Sequence, residues 1–352
     1  VALSSVVADT SLVLWNRDII GRLDRYAPFA RFSAPHAVVA EGRLYWLASG
    51  YVRAGAFPLA PRVRWRQETV RYLRSSLVGV VEAGTGVTAV YLTQDADPLS
   101  QAWAELAPEI VRPAGQLPPA LASHLRYPSE LFAIQVGLLQ AGLAAGTLWG
   151  TVAPGVAAGR LGPVEPYWWV GGTPTDSVAR LRLMAPLEAA DSEYLTGIVD
   201  GTMWGGAPRL TLLRVEPELE LPGPRRVAQL FTRLRAEPVG VHGVLRMVPF
   251  EDGVLALQTS YASAGEGEAA PQLVDVAVGW GRQVGSGPSV RTALSRLETE
   301  TSPLGLAAAE RAEARRWFER MDAARRAGDW TAFGRAYEEL RRILTGGADS
   351  VP

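Results

Sequence analysis

Apolar residues between Asn16 and Tyr26 fall at Ile19, Ile20 and Leu23, which share one face of a helix that Pro28 then stops. From Ala37 to Val52 the pattern becomes two apolar runs flanking Glu41-Gly42. Glycine supplies the turn there, so a β-hairpin is predicted. A second hairpin is predicted from Ser76 to Leu92, turning at Ala83-Gly84-Thr85-Gly86. Asp97-Pro98 then opens a helix carrying Leu99, Trp103 and Leu106. The carboxylate can cap free N–H groups, and proline at the first helical position gives up none that was bonded. Pro118, Pro119 and Pro128 bracket two further short helices.

From Glu165 the period is two. The runs 165–171, 178–187, 193–199, 209–215, 243–250, 253–262 and 272–280 read as strands, with a tight turn at Glu251-Asp252-Gly253. The tail reads as an αα-hairpin. Ser302-Pro303 starts its first helix, Gly328 ends it and Asp329 caps the second. Trp330, Phe333, Tyr337, Leu340 and Leu344 recur at helical spacing, and Trp317, Met321 and Ala324 line the first helix; both stripes read as core. The expected class is α+β: mainly antiparallel β-sheets with flanking helices and a C-terminal αα-hairpin. Three segments are expected: an α+β half over 1–160, a β-rich half over 161–300 and the hairpin over 301–352.

Leu131 to Ala158 carries no charge and tempts a transmembrane reading. Its glycines and Pro154 would break a helix, so an amphipathic helix followed by a Gly-rich loop is expected instead. The chain opens at Val1 without a basic segment leading into an apolar one. A processed or truncated chain is therefore the expectation.

Composition narrows the chemistry. All 35 basic residues are arginine, because the sequence contains no lysine. That excludes Schiff-base and pyridoxal-phosphate enzymes, Walker-type NTPases and kinases. The absence of cysteine removes thiol nucleophiles, iron–sulfur clusters and Cys-ligated zinc. A net charge of −1 lacks the basic excess a nucleic-acid partner would require. His36, His124 and His242 lie far apart without zinc-ligand spacing and read as structural. The segment Gly279 to Gly285 (GWGRQVG) has the wrong spacing for a dinucleotide loop and reads as a hairpin turn. Glu251-Asp252, the nearest approach to paired carboxylates, sits in a polar turn where Asp before Gly suits the backbone. No G-x-S-x-G elbow is present. No catalytic, cofactor-binding or metal residue is therefore expected.

One feature leans toward binding. Tyr167, Trp168 and Trp169 follow one another on a presumed strand, and alternation sends Tyr167 and Trp169 to one face and Trp168 to the other. Either both faces are buried, or one presents tryptophan toward a partner or a membrane interface.

Several blocks in order resemble a bacterial "uncharacterised protein family" of large integral membrane proteins. They are NRDIIGRLDRYAPFARF followed by AVVAEGRLYWLASGY, YLRSSLVGVVEAGTGVTAVYL (Tyr72 to Leu92), DPLSQAWAELAPEI, LASHLRYPSELFAIQ (Leu121 to Gln135), GVLRMVPFEDGVLALQTSYA and GDWTAFGRAYEELRRIL. Members of that family begin with about seven predicted transmembrane helices and continue into a large extracytoplasmic portion. The resemblance covers nearly the whole chain and only that outer portion. After Gln135 the chain departs from the family in a Gly/Ala-rich stretch, LLQAGLAAGTLWGTVAPGVAAG. The resemblance implies an extracytoplasmic, membrane-associated location, on the periplasmic or outer face, and carries over no site residue. It also implies a free-standing relative of the outer domain, or a cleaved or truncated chain. The expectation is thus a non-catalytic scaffold or accessory subunit that docks on a membrane protein or multi-subunit membrane complex. The alternatives are an envelope hydrolase using carboxylates in an inter-domain cleft, and a ligand-binding sensor domain.

Overall fold

The computed structural model describes residues 17–144, 165–188, 193–234, 241–250, 253–262, 271–299, 308–327 and 329–344. Packing divides the chain into two compact units, one formed by 1–229 with 243–256 and the other by 230–242 with 257–352.

In the first unit, Asp18 caps α1 (Ile19–Tyr26) by accepting from Gly21 N at 2.6 Å. The chain continues through β1 (Arg31–Phe32), β2 (His36–Ala40) and β3 (Arg43–Ala54). Glu41 and Gly42 both have positive φ, the left-handed pair that a two-residue hairpin turn demands, and Ala40 faces Arg43 across it. β4 (Val63–Trp65) and β5 (Glu68–Val70) form a separate ribbon. β6 (Tyr72–Glu82) then pairs with β3, and β7 (Thr88–Leu92) with β6. After α2 (Pro98–Leu106), β8 (Val111–Arg112) runs parallel to β7, and every other pairing with a described register is antiparallel.

This first sheet, in the order β1-β3-β6-β7-β8 with β2 on β3, is buried on both faces. One face packs Leu77, Val81 and Val90 against Leu23 of α1, and the other packs Val78, Val80 and Tyr91 against Leu121 of α3 (Pro119–Ala122). Gly79 is required in mid-strand, because a Cβ there would lie 2.7 Å from Leu23 and 2.9 Å from Phe32.

Asp97 caps α2 as expected, accepting from Leu99 N at 3.0 Å and Ser100 N at 3.3 Å. Of the apolar residues read on that helix, Trp103 stacks on Phe29 at 4.5 Å, whereas Leu99 and Leu106 are exposed. Burial of the Asp97 carboxylate works against its charge. Hydrogen bonds from Ser100, Tyr72 and Ser76 outweigh that effect and hold its pKa below the usual value. A depressed acid contributes stability above its unfolded pKa and loses it as pH falls through the folded value. Asp97→Ala is expected to lower unfolding free energy by about 1 kcal/mol at pH 7. Urea melts should show that difference closing below the ordinary aspartate range.

α4 (Ser129–Ala144) follows Pro128 and is longer than the short helix expected there. The second sheet is a four-stranded antiparallel meander of β9 (Tyr167–Thr173), β10 (Asp176–Glu188), β11 (Leu195–Trp204) and β12 (Ala207–Arg214). α4 lays Phe132 and Val136 on one of its faces, against Leu183, Ala185, Leu187 and Val199. At the far end of β10, Glu188 accepts from Arg225 N at 3.0 Å and pairs with the Arg225 guanidinium, so a carboxylate meets the start of α5 (Pro224–Leu234).

β13 (Val241–His242), β14 (Arg246–Phe250), β15 (Gly253–Tyr261), β16 (Leu273–Trp280), β17 (Gln283–Gly287) and, after α6 (Val290–Ser295), β18 (Glu298–Thr299) complete the strands. β14 pairs with β15, whose first residues belong to the first unit. In the second unit the order is β13-β15-β16-β17-β18. The glycine-rich GWGRQVG segment is a two-residue hairpin, with Trp280 opposite Gln283 and Gly281 at φ 57°.

α7 (Ala308–Ala327) and α8 (Trp330–Leu344) form the C-terminal hairpin, and Asp329 caps α8 by accepting from Ala332 N at 2.9 Å. Its aromatic stripe is only partly core. Trp330 and Tyr337 are more than half exposed, because Trp330 opens the helix and rests edge-on against Phe333, while burial falls to Ala324, Ala336 and Ile343. The fold is α+β, and every strand read from Glu165 onward is present with shifted ends. The turn at Glu251-Asp252, the boundaries at Ser302-Pro303 and Gly328, and the Gly-rich loop after α4 lie outside the described residues.

Candidate docking surface on the second sheet

Register assigns the side chains of the second sheet to faces. Trp168, Leu183, Gly201 and Leu210 line up across the four strands on the side that α4 covers. Trp169, Arg182, Thr202 and Arg209 line up on the other, next to the row Tyr167, Met184, Asp200 and Thr211.

The aromatic triplet therefore divides as alternation requires, but it does not form a displayed surface. Tyr167 is buried. Its hydroxyl donates to Met247 O at 2.5 Å and accepts from Met247 N at 3.0 Å, and burial pushes its pKa up. Trp168 is half-buried on the α4 side, with the Arg126 guanidinium 6.0 Å from its ring centre. Trp169 is half-buried against the position of Gly171, where a Cβ would lie 2.4 Å from its Nε1. Trp168 and Trp169 are thus half-buried on opposite faces of β9, and the apolar residue that β9 exposes is Val170.

Beside Trp169 sits a buried ion network that periodicity does not reveal. Arg182 is 1% exposed. It donates to Asp200 Oδ2 at 2.5 Å, Asp176 Oδ2 at 2.6 Å and Gly171 O at 2.8 Å. The hydrogen bond from Arg182 holds the Asp176 carboxyl below its usual pKa. Burial lifts that of Asp200, against the pull of Arg182 and with added repulsion from Asp176. Asp200 Oδ1 and Trp169 Nε1 are buried without a hydrogen-bond partner. Such a network locks the β9–β10 turn onto β11.

Two features of this sheet face outward. Trp204, 45% exposed at the end of β11, lies between the guanidinium groups of Arg180 at 4.4 Å and Arg209 at 5.3 Å from its ring centre. Along the outer strand β12 runs a groove of about 420 Å³ lined by Ile198, Thr211, Leu213, Leu219, Leu221 and Val254, among others. Tryptophan, arginine and an apolar cleft are the surface features enriched where proteins meet.

Two of the three histidines make polar contacts of their own. His36 Nε2 lies 3.2 Å from the carbonyl oxygen of His124, an approach that 88 residues of separation hid from the sequence. Burial, then the charge of Arg126, lowers the His36 pKa. His242 Nδ1 is 3.2 Å from Ser260 Oγ. Among the described residues no three His, Asp or Glu side chains converge in a way that could hold a metal ion.

The sequence profile of the Uncharacterised protein family (UPF0182) matches residues 1–235. A UPF0182 protein of Geobacter sulfurreducens is 26% identical over 381 aligned positions, covering 98% of this chain and 41% of that protein. One from Cupriavidus necator is 27% identical, with the same 98% and 41% coverage. One from Salinispora arenicola is 26% identical over 79% of this chain and 32% of its own length. The chain spans about a third to two fifths of the length of these curated relatives. No solved structure matches it. The profile match and these relatives agree with the motif blocks, and the chain belongs to the uncharacterised protein family UPF0182.

Proposed function

We propose that this chain is a non-catalytic, extracytoplasmic docking module: a scaffold or accessory part of a membrane protein or multi-subunit membrane complex. The observation that carries the reading is exposed Trp204, held between Arg180 and Arg209 at the end of a rigid sheet. A large ring pre-set by two cations loses little freedom on binding and offers both apolar area and charge to a partner. Among the described residues no helix is long and apolar enough to cross a membrane. The relatives carry comparable sequence within longer polypeptides, which makes a further polypeptide segment the natural neighbour of this surface. Asp176 and Asp200 are each engaged by Arg182 within the sheet, which favours a structural role over acid–base work.

The test is to express the tagged chain in its own host, cross-link it and fractionate membranes. The wild type is expected to recover a specific membrane protein with the membrane fraction. Trp204→Ala is expected to weaken that complex about thirtyfold, roughly 2 kcal/mol. A wild-type chain that never enters the membrane fraction, or a complex indifferent to Trp204, would sink the proposal.

A further inference from the structure

β12 is an edge of the second sheet, and its register fixes which main-chain groups face outward. A two-residue turn at Gly205-Gly206 sets Trp204 opposite Ala207, and at the other end Val215 N donates to Thr196 O at 3.1 Å. Antiparallel alternation between these points gives Arg209, Thr211 and Leu213 the main-chain bonds to β11. Leu210, Leu212 and Arg214 then aim their N–H and C=O groups at the open side, and among the described residues no backbone group pairs with them. Pro208 has the same parity as these residues, where a missing N–H removes no bond to β11.

Natural sheet edges are guarded by charge, proline or a bulge. Here Pro208 and Arg209 stand at one end and Arg214 at the other, while Leu210-Thr211-Leu212-Leu213 between them is uncharged and half-buried. The groove beside them is lined by every residue from Thr211 to Glu216 in succession. The same groove touches Ile198 of β11 and Val254 of β15, so it continues from the strand onto the sheet face that Thr211 and Leu213 share. An open ladder carrying uncharged side chains suits an extended strand.

We infer that the strand is β12 of a second copy of this chain. Two copies related by a twofold axis pair their β12 edges antiparallel, joining two four-stranded sheets into one continuous sheet. With outward groups matched, Leu210 of one copy faces Leu212 of the other and the two exchange main-chain bonds. Thr211 meets Thr211 on the axis, Arg209 falls opposite Leu213, and Arg214 opposite Pro208. No two guanidinium groups face each other, so the strand complements itself in hydrogen bonding and meets no like-charge repulsion across the pair. This interface is separate from Trp204 docking and stands or falls without it.

The register makes a sharp test possible because the chain has no cysteine of its own. Thr211 would occupy a non-hydrogen-bonded pair on the axis, with Cα atoms about 4.5 Å apart, inside the range a disulfide spans. Thr211→Cys is therefore expected to give a covalent dimer on mild oxidation, while Leu213→Cys, facing Arg209, does not. Light scattering of the wild type at tens of micromolar is expected to give twice the chain mass. Leu212→Pro, which removes only an outward N–H, is expected to raise the dissociation constant at least tenfold with the circular dichroism spectrum unchanged. A monomeric wild type with no Thr211→Cys cross-link overturns the inference. So does cross-linking at position 213 in place of 211, or a dimer that a folded Leu212→Pro chain leaves intact. Should Leu212→Pro fail to fold, the two cysteine variants decide alone.

Discussion

Replacing Arg182 by leucine is expected to destabilise the first unit by about 3–5 kcal/mol at pH 7. The guanidinium is fully buried and donates to two carboxylates and a main-chain carbonyl at 2.8 Å or closer. Leucine fills much of the volume but leaves Asp200 inside the sheet with no counter-ion and Gly171 O with no donor. Removing one partner of a buried pair is the expensive change, whereas removing both can be nearly neutral. Arg182→Leu combined with Asp200→Leu should therefore recover most of the loss, a coupling that a double-mutant cycle measures directly.

Acid should act in the same direction. Burial already raises the Asp200 pKa, and losing Arg182 raises it further. A carboxyl whose folded pKa is raised gains native stability as pH falls through that value, so the single variant should lose part of its deficit on acidification. Asp176 works the other way in the wild type. Its depressed pKa gives stability that disappears as pH falls through the folded value, which narrows the gap from the other side. Denaturant unfolding at pH 7 and at pH 5 reads the Asp200 effect, and extending the series below the ordinary aspartate range reads that of Asp176. A loss under about 1 kcal/mol, or a double variant no better than the single, would show that the network is not what holds this face.

Phe132→Ala should be nearly as severe, about 3–5 kcal/mol. The ring is fully buried on α4, edge-on to Tyr127 at 5.7 Å, within the cluster of Leu183, Ala185 and Val199. Directly beneath lies Gly201, where a Cβ would stand 2.9 Å from both rings. The strand gives up its own side chain there so that the helix can approach, and a truncated ring leaves a void that neither the glycine nor a rigid strand can refill. The same melts check it, and a cost below about 1.5 kcal/mol would mean that α4 slides to close the gap.

Much of this architecture was legible because its signals are local. The Glu41-Gly42 hairpin, the Asp97-Pro98 helix start and the period-two runs after Glu165 each depend on residues within one turn or one strand. α5 was legible too, through Pro224 at its first position and Val227, Leu230 and Phe231 at helical spacing, but the strand pattern around it drew the reading away. Three-residue strands such as β4 and β5 are too short to show a period.

The surface was harder. In the run Arg180 to Leu187, alternation makes Leu183, Ala185 and Leu187 the core face and sends Arg182 toward solvent. Arg182 is buried instead, because its partner Asp200 lies 18 residues away and the same face is covered through Met247, 80 residues from Tyr167. The aromatic triplet attracted attention by its density, yet on the strands of the second sheet the exposed ring is isolated Trp204, flanked by arginines from two different strands. The open parity of β12 depends on its register with β11, which no single segment encodes.

The route of the chain between its two units constrains how the protein can be made. The first unit is not finished at residue 229, because Gly243 to Ala256 returns to it and brings the Met247 backbone that engages the Tyr167 hydroxyl. During synthesis, Tyr167 leaves the ribosome well before its acceptor exists. At the ordinary pace of translation the unfinished sheet waits several seconds with water in place of that partner. A chaperone that shelters this half-built intermediate would find its substrate there, and no single cut in the backbone releases either unit whole.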